Sequence, residues 1–476
     1  MGSTTFYNLC TAGYAVALFL YIANLAFKKA KVRKAATVAT ALAFISQTIG
    51  MVFRWAEAGE VEVAAVERAQ DVQLTGKAWF VVYTQHPPWS NLYEIMVFMA
   101  WGIVLVFLVS EVKWRIRFAG VFALLLALTS LGLASLTADA TIKPLVPALQ
   151  SWWIMIHVIS SAVGYAAGMM GAILSLLYLV KAKDRVGLNA VGGGTMAVSA
   201  LVLLVLGRGF ELFKTGAYKV KLLGYSPSNG ALEPVGRVVD GSFHPFFVPS
   251  PFVGYLLILA VVACIAAAIV MLVKRHDNGG NPEGLTKLVY FVGLGATLAT
   301  VGLIVVNAFT QTDVQLAKDV AAQMTHGAPP PWRLHISSNQ WDLALFGIIA
   351  GGQIFVAIAM LMPAKLRTLL PEAKRLDRAA YYVILIAFAL VAVVLVTGAL
   401  WAHYAWGRYW GWDPKEVGAL VIWINYAIYL HARVTYGWVG VPSAVVAVLG
   451  FFIIIAGFLG VNLGWFADGL HSYGSA

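Results

Sequence analysis

The sequence predicts an all-α polytopic membrane protein of about twelve transmembrane helices, with both termini on the outer side. Three observations predict it. The 476 residues are 60% hydrophobic and only 12% charged, whereas a soluble domain carries about 25% charged residues. The apolar residues fall in runs long enough to cross a bilayer, which takes about 20 residues each. Lysine and arginine gather in alternate short connections between those runs, as they do on the cytoplasmic side of membrane proteins. An ordinary soluble enzyme is excluded.

The spans follow one another with consistent punctuation. The first, 10–28, closes on Lys28 and Lys29, and Lys31, Arg33 and Lys34 precede the second, 36–56. An acidic stretch with interleaved Val and Ala, 57–74, then reads either as a short amphipathic outer helix or as a solvated connector. Span 92–110 opens after Ser90 and Asn91 and ends before Lys113, Arg115 and Arg117, and 118–136 returns outward. Span 152–180 opens on Trp152 and Trp153 and ends before Lys181, Lys183 and Arg185, followed by 190–207. Next come 251–273, closed by Lys274 and Arg275, then 288–308 behind Lys287. Span 340–362 leads to Lys365, Arg367, Lys374, Arg375 and Arg378, and 380–400 follows. The last two are 416–432, closed by Arg433, and 442–463. Met1 to Cys10 lacks a cationic leader, so the first span is expected to stay in the mature protein.

The cations set the orientation. Of 33 lysines and arginines, 20 lie in the short connections just named, while the rest are spread over the longer segments that include 57–91, 208–250 and 309–339. Those longer segments and the termini therefore face outward. The net charge of +11 records topology, since no single basic face is built for nucleic acid. The two cysteines, Cys10 and Cys264, form no CxxC pair or disulfide framework, and the absence of CxxCH means the chain is not itself a c-type cytochrome.

Ionisable groups in a bilayer are costly and usually functional, so the histidines are sorted by depth. His86, His244, His326, His335 and His403 fall in outer loops and His276 in a cytoplasmic one. His157 lies just inside the outer end of span 152–180, and His471 just beyond the last span, also outside. His431 follows Glu416 by 15 residues, about 22 Å along a helix, near the cytoplasmic side. Taken singly, each reads as a hydrogen-bonded core or interfacial histidine before it reads as a ligand. Two at one level are what six-coordinate haem iron requires.

The densest local feature runs from Trp401 through Trp406, Arg408, Tyr409, Trp410, Trp412 and Asp413 to Glu416. Tryptophan and tyrosine gather at membrane interfaces in any case, but four tryptophans within twelve residues exceed that habit. An aromatic shelf flanked by Arg408 and Lys415 suits a flat, apolar, doubly anionic ligand, and haem has that form. Asp413, before Pro414, reads as the cap of the next span or as an anchor for the shelf.

At these residues the chain resembles the CcsA (ResC) family of cytochrome c biogenesis proteins, the System II members of the haem-handling group marked by a WWD motif. Trp406 to Glu416 (WGRYWGWDPKE) is that motif, followed by Trp423 and by Tyr426 to Arg433 (YAIYLHAR). Further matches are Arg54-Trp55, Ser90 to Glu94 (SNLYE), Leu145 to Ser151 leading to His157, Gly164-Tyr165-Ala166, and the closing Gly469 to Gly474.

The resemblance implies three regions: 1–182, CcsA-like; 183–375, an added region with four extra spans and two outer loops; and 376–476, CcsA-like with the haem motif. It implies a conduit that moves haem b across the membrane and presents it for attachment to CxxCH of apocytochrome c, a holocytochrome c synthase (haem lyase) activity shared with a CcsB partner. His157 and His471 then look like the axial ligands of an external haem beneath Trp401, Trp406, Trp410 and Trp412. His431 looks like one ligand of an inner haem whose second ligand comes from the partner. The bacterial cytoplasmic membrane is the expected location, ahead of the thylakoid. The nearest alternatives are haem delivery of the CcmC or CcmF type and a haem-bearing respiratory subunit. A secondary transporter is a further alternative, though no repeat between halves supports it.

Overall fold

The computed structural model describes residues 2–27, 29–84, 87–137, 140–145, 149–182, 186–206, 213, 218–225, 232–234, 236–239, 242–245, 247–274, 284–310, 334–337, 340–361, 363–455 and 457. In chain order the helices are α1 (Ser3–Phe27), α2 (Ala30–Gln70), α3 (Gly76–Thr84), α4 (Leu92–Trp114), α5 (Ala119–Thr137), α6 (Trp152–Lys181) and α7 (Val186–Leu206). Strands β1 (Tyr218–Tyr225), β2 (Leu232–Pro234), β3 (Gly236–Val239), β4 (Ser242–Pro245) and β5 (Phe247–Ser250) follow. Then come α8 (Pro251–Val273), α9 (Gly284–Thr310), β6 (Leu334–Ser337), α10 (Gln340–Leu361), α11 (Pro363–Leu369), α12 (Ala373–Trp406), α13 (Pro414–Thr435) and α14 (Val441–Ile455).

Among the described residues, eight helices are long and apolar enough to cross a membrane, and four shorter apolar ones accompany them. The described residues of the twelve apolar segments read from the sequence lie in helices, apart from Phe118 and Gly457. The protein is an integral, polytopic helical membrane protein. Full-length apolar runs dictate this, because a backbone in lipid must satisfy its own hydrogen bonds and a helix does so within one segment.

The chain divides into two compact units, Met1–Ala182 with Ala364–Ala476, and Lys183–Pro363. In the first, α6 is the central helix, packed against α12, α14 and α4, while α1 pairs with α2 and α4 with α5. Small residues make the close approaches possible: at Gly168 of α6 a side chain would collide with the Tyr426 hydroxyl of α13.

Helix α2 is 41 residues long, about 62 Å at 1.5 Å per residue, or twice the ~30 Å hydrocarbon core. The acidic stretch after 56 continues this helix as far as Gln70, where Asp71 closes it in a left-handed conformation with φ 52°. Ala58, Glu62 and Val63 are buried, so the extension is packed and is not a solvated connector.

In the second unit, α7, α8, α9 and α10 pack side by side. The stretches read as outer loops carry short antiparallel strands: β1 pairs with β2, β5 and β6, and β3 with β4. Leu222 stands opposite Ile336 and Val220 opposite Val248. His244 falls in β4 and His335 in β6.

Candidate functional site

Three helix N-termini in the first unit meet around a cavity of about 200 Å³. Asn91 caps α4, accepting the Glu94 N–H at 2.9 Å, and Ser151 caps α6, accepting the Trp153 N–H at 3.3 Å. At α13, Asp413 accepts the Lys415 N–H at 3.0 Å. Glu416 returns the favour, its Oε2 accepting the N–H groups of Gly411 at 2.8 Å and Asp413 at 3.1 Å. With Pro414 in the first turn this is a complete capping box. The Asp413 carboxylate, 6% exposed, is engaged in the cap.

The shelf between α12 and α13 begins where Gly407 ends α12 in a left-handed conformation, φ 72°, its N–H donating to His403 O. Trp412 also has positive φ, 59°, a strained state for a bulky side chain, and is 72% exposed. Its ring meets Trp410 edge-on at 5.8 Å, and Trp401 meets Trp406 at 4.9 Å. The Arg408 guanidinium lies across Gly411, in space that any larger residue would occupy.

The cavity is lined by Trp89, Ser90 and Asn91, by Ile154, His157, Ser161 and Tyr165 of α6, by Gly398 and Trp401 of α12, and by Tyr409, Trp410, Lys415 and Glu416. The His157 ring lies 6.3 Å from that of Trp401, the planes inclined by 30°. Its Nδ1 is 3.0 Å from the Val394 carbonyl. A carbonyl can only accept, so Nδ1 is the donor, and in the neutral ring the lone pair sits on Nε2. This is the arrangement seen in metal-ligating histidines, whose second nitrogen donates to a backbone or carboxylate oxygen.

The structure therefore brings His157, Trp401 and Trp410 to one cavity, and leaves Trp406, Arg408, Trp412 and Asp413 off its lining. His403, exposed, stacks on Tyr409 at 4.2 Å. His431 lies far along α13, exposed, with Thr435 Oγ1 at 3.4 Å from its Nδ1 and the Tyr436 ring edge-on at 5.6 Å. His471 lies outside the described residues. Trp89, Ser90, Asn91, Tyr165 and Glu416 join the wall without having been singled out as ligand contacts. For Ser90 and Asn91 the SNLYE motif was the available signal. The wall combines a nitrogen donor suited to a metal, flat apolar surfaces and one ammonium group, the chemistry a planar, anionic, metal-bearing ligand needs.

Comparison with known proteins agrees in kind. The chain is 28% identical over 416 residues to the cytochrome c biogenesis protein CcsA of Trichormus variabilis, covering 86% of each chain. It is 29% identical over 414 residues to that of Rippkaea orientalis, again 86% of each, and 28% over 423 residues to that of Synechocystis sp., 88% of this chain and 89% of the relative. These relatives are thus of about this chain's length. A solved cytochrome c haem lyase CcmF aligns with 99% of this chain and 73% of its own, at 13% identity and a TM-score of 0.30, too distant to bear on the chemistry. The model of the cytochrome C assembly protein family matches residues 89–467, from the first residue of the cavity wall to beyond α14. The chain belongs to the cytochrome c assembly protein family and so to the membrane machinery of cytochrome c biogenesis.

Proposed function

We propose that this protein carries haem b across the bacterial cytoplasmic membrane and presents it at the His157 cavity for attachment to apocytochrome c, acting as a cytochrome c synthase together with a CcsB-type partner. One observation carries the reading: His157, its Nδ1 fixed by Val394, stands on the wall of an aromatic cavity beside Lys415. In this reading both termini and the cavity face outward, and His157 and His471 are the axial ligands of the outer haem. Trp401 and Trp410 form its contact surface, with Trp406, Arg408, Trp412 and Asp413 supporting the shelf. In this reading regions 1–182 and 376–476 carry the haem-handling residues, and 183–375 carries none of those named.

A cavity of about 200 Å³ is smaller than the ~300–1000 Å³ that buries a drug-sized ligand. Haem would therefore lie partly outside it, on the side of the exposed Tyr409, where a second protein could reach it. In the reaction a cysteine S–H adds across each vinyl group: sulfur bonds to the carbon next to the ring, the proton ends on the terminal carbon, and no electrons are gained or lost. The thiols belong to the apocytochrome. The contribution of this chain is to hold haem and peptide in register, an effect that can supply several kcal/mol of barrier reduction. His431, exposed near the other end of α13, is one ligand of an inner haem, completed by a histidine of the partner.

The test is an absorbance spectrum of the purified protein with its partner. A low-spin, two-histidine haem lost in His157→Gly is expected, and cytochrome c maturation is expected to stop with it. Undiminished maturation by His157→Gly would overturn the assignment.

A further inference from the structure

The two loops that close the cavity are both fastened to one helix by buried charged groups. Arg54 of α2 and Glu94 of α4 are 6% and 2% exposed, and Arg54 Nε donates to Glu94 Oε1 at 2.9 Å. The other Glu94 oxygen accepts the Ser90 N–H at 2.9 Å and the Ser90 hydroxyl at 3.0 Å, which pins the Trp89–Asn91 wall. Arg54 Nη2 reaches the Ala140 carbonyl at 2.6 Å, in the segment leading to α6. One helical stretch further along α2, Glu62, 5% exposed, accepts the Leu145 N–H at 2.8 Å. Gln150 donates back to Leu145 O at 3.0 Å, next to the Ser151 cap of the helix that bears His157. Trp89 itself stacks on Phe98 at 4.9 Å.

Such groups are a poor way to gain stability. Charges buried in or near a bilayer are costly, and apolar residues of equal volume commonly replace a buried ion pair without loss. What the charged groups supply is direction: Arg54 and Glu62 fix Ala140 and Leu145 directly to α2, and Ser90 is fixed to it through Glu94 of α4. The length of α2 serves the same end, carrying Glu62 about 12 Å past Arg54 to the segment that holds Leu145.

We infer that Arg54, Glu62 and Glu94 are positioning residues of the outer haem site. Acting through Ser90, Ala140 and Leu145, they set the distance between the Trp89–Asn91 wall and the α6 end that presents His157. The inference rests on the reading of this cavity as a haem site.

The experiment compares Glu94→Gln, Arg54→Lys and Ser90→Ala with a control, Glu111→Gln, in purified complexes of the full chain and its partner. Glu111 is buried like Glu94 but sits at the opposite end of α4, bonded to Tyr21 at 2.7 Å and Thr37 at 2.8 Å. Glu94→Gln is expected to shift the absorbance band and reduction potential of the outer haem and to slow thioether formation per bound haem by ~10-fold or more, given how steeply rate depends on alignment. Arg54→Lys, which keeps the charge, and Ser90→Ala should fall between Glu94→Gln and the unaltered protein. Glu111→Gln should lower thermal stability and leave spectrum, potential and rate per haem unchanged. Wild-type spectrum, potential and rate in Glu94→Gln, or equal shifts in Glu111→Gln, would overturn the positioning role. Absence of haem from the unaltered protein would overturn the haem-site reading itself.

Discussion

A Cβ placed on Gly398 would lie 2.9 Å from Cε1 and 3.0 Å from Nδ1 of His157, so this turn of α12 is bare where the imidazole of α6 lies against it. The same turn offers the Val394 carbonyl that fixes the ring. Gly398→Ala should improve α12 by up to ~1 kcal/mol of intrinsic helix propensity and yet displace the ring. The expected result is near-normal protein yield with an altered haem absorbance and cytochrome c maturation reduced at least several-fold. A normal spectrum in this variant would show that the ring does not need the space.

Removing the imidazole while keeping its site gives a sharper test. His157→Gly should lose the low-spin spectrum, and free imidazole added at millimolar concentration should restore part of it by entering the space left behind. Restoration of the spectrum without restoration of maturation would separate ligation from presentation.

His431 lies at a different level on an exposed face. His431→Ala should leave the outer haem spectrum unchanged and abolish any inner haem, and the inner haem should also be missing when the chain is purified without its partner. Difference spectra of the two preparations measure this directly.

The capping box predicts a graded series. Asp413→Ala should cost about 1 kcal/mol of stability and release the shelf, whereas Asp413→Asn, still able to accept the Lys415 N–H, should cost less. Thermal unfolding and haem retention should fall in the same order.

The spans were legible because a run of some 20 apolar residues leaves a chain little choice in lipid. The C-terminal half of α2 was not, because Glu57, Glu60, Glu62 and Glu67 among alanines and valines fit either a helix or a connector. Its packing partners, Tyr83 against Gly59 and Leu145 against Glu62, come from later in the chain. Strands of three to eight residues whose partners lie up to about a hundred residues away, as Leu222 and Ile336 do, leave almost no local signal. At the candidate site, residue type made His157 and the tryptophans conspicuous. Ser90 was visible only as the start of SNLYE, and Gly398 is an ordinary letter until the neighbouring helix is in place.

The three capped N-termini around the cavity have an electrostatic consequence independent of side chains. Each helix start carries roughly half a positive charge from its unpaired peptide dipoles, so α4, α6 and α13 together place on the order of +1.5 charges around one small volume. Glu94 and Glu416 offset two of these ends from their first turns, whereas α6 has no acidic residue in its first turn. The end that presents His157 therefore keeps its backbone potential, a standing pull on negative groups such as carboxylates. Neutralising Arg408 or Lys415 would leave that pull in place, because its source is the peptide backbone.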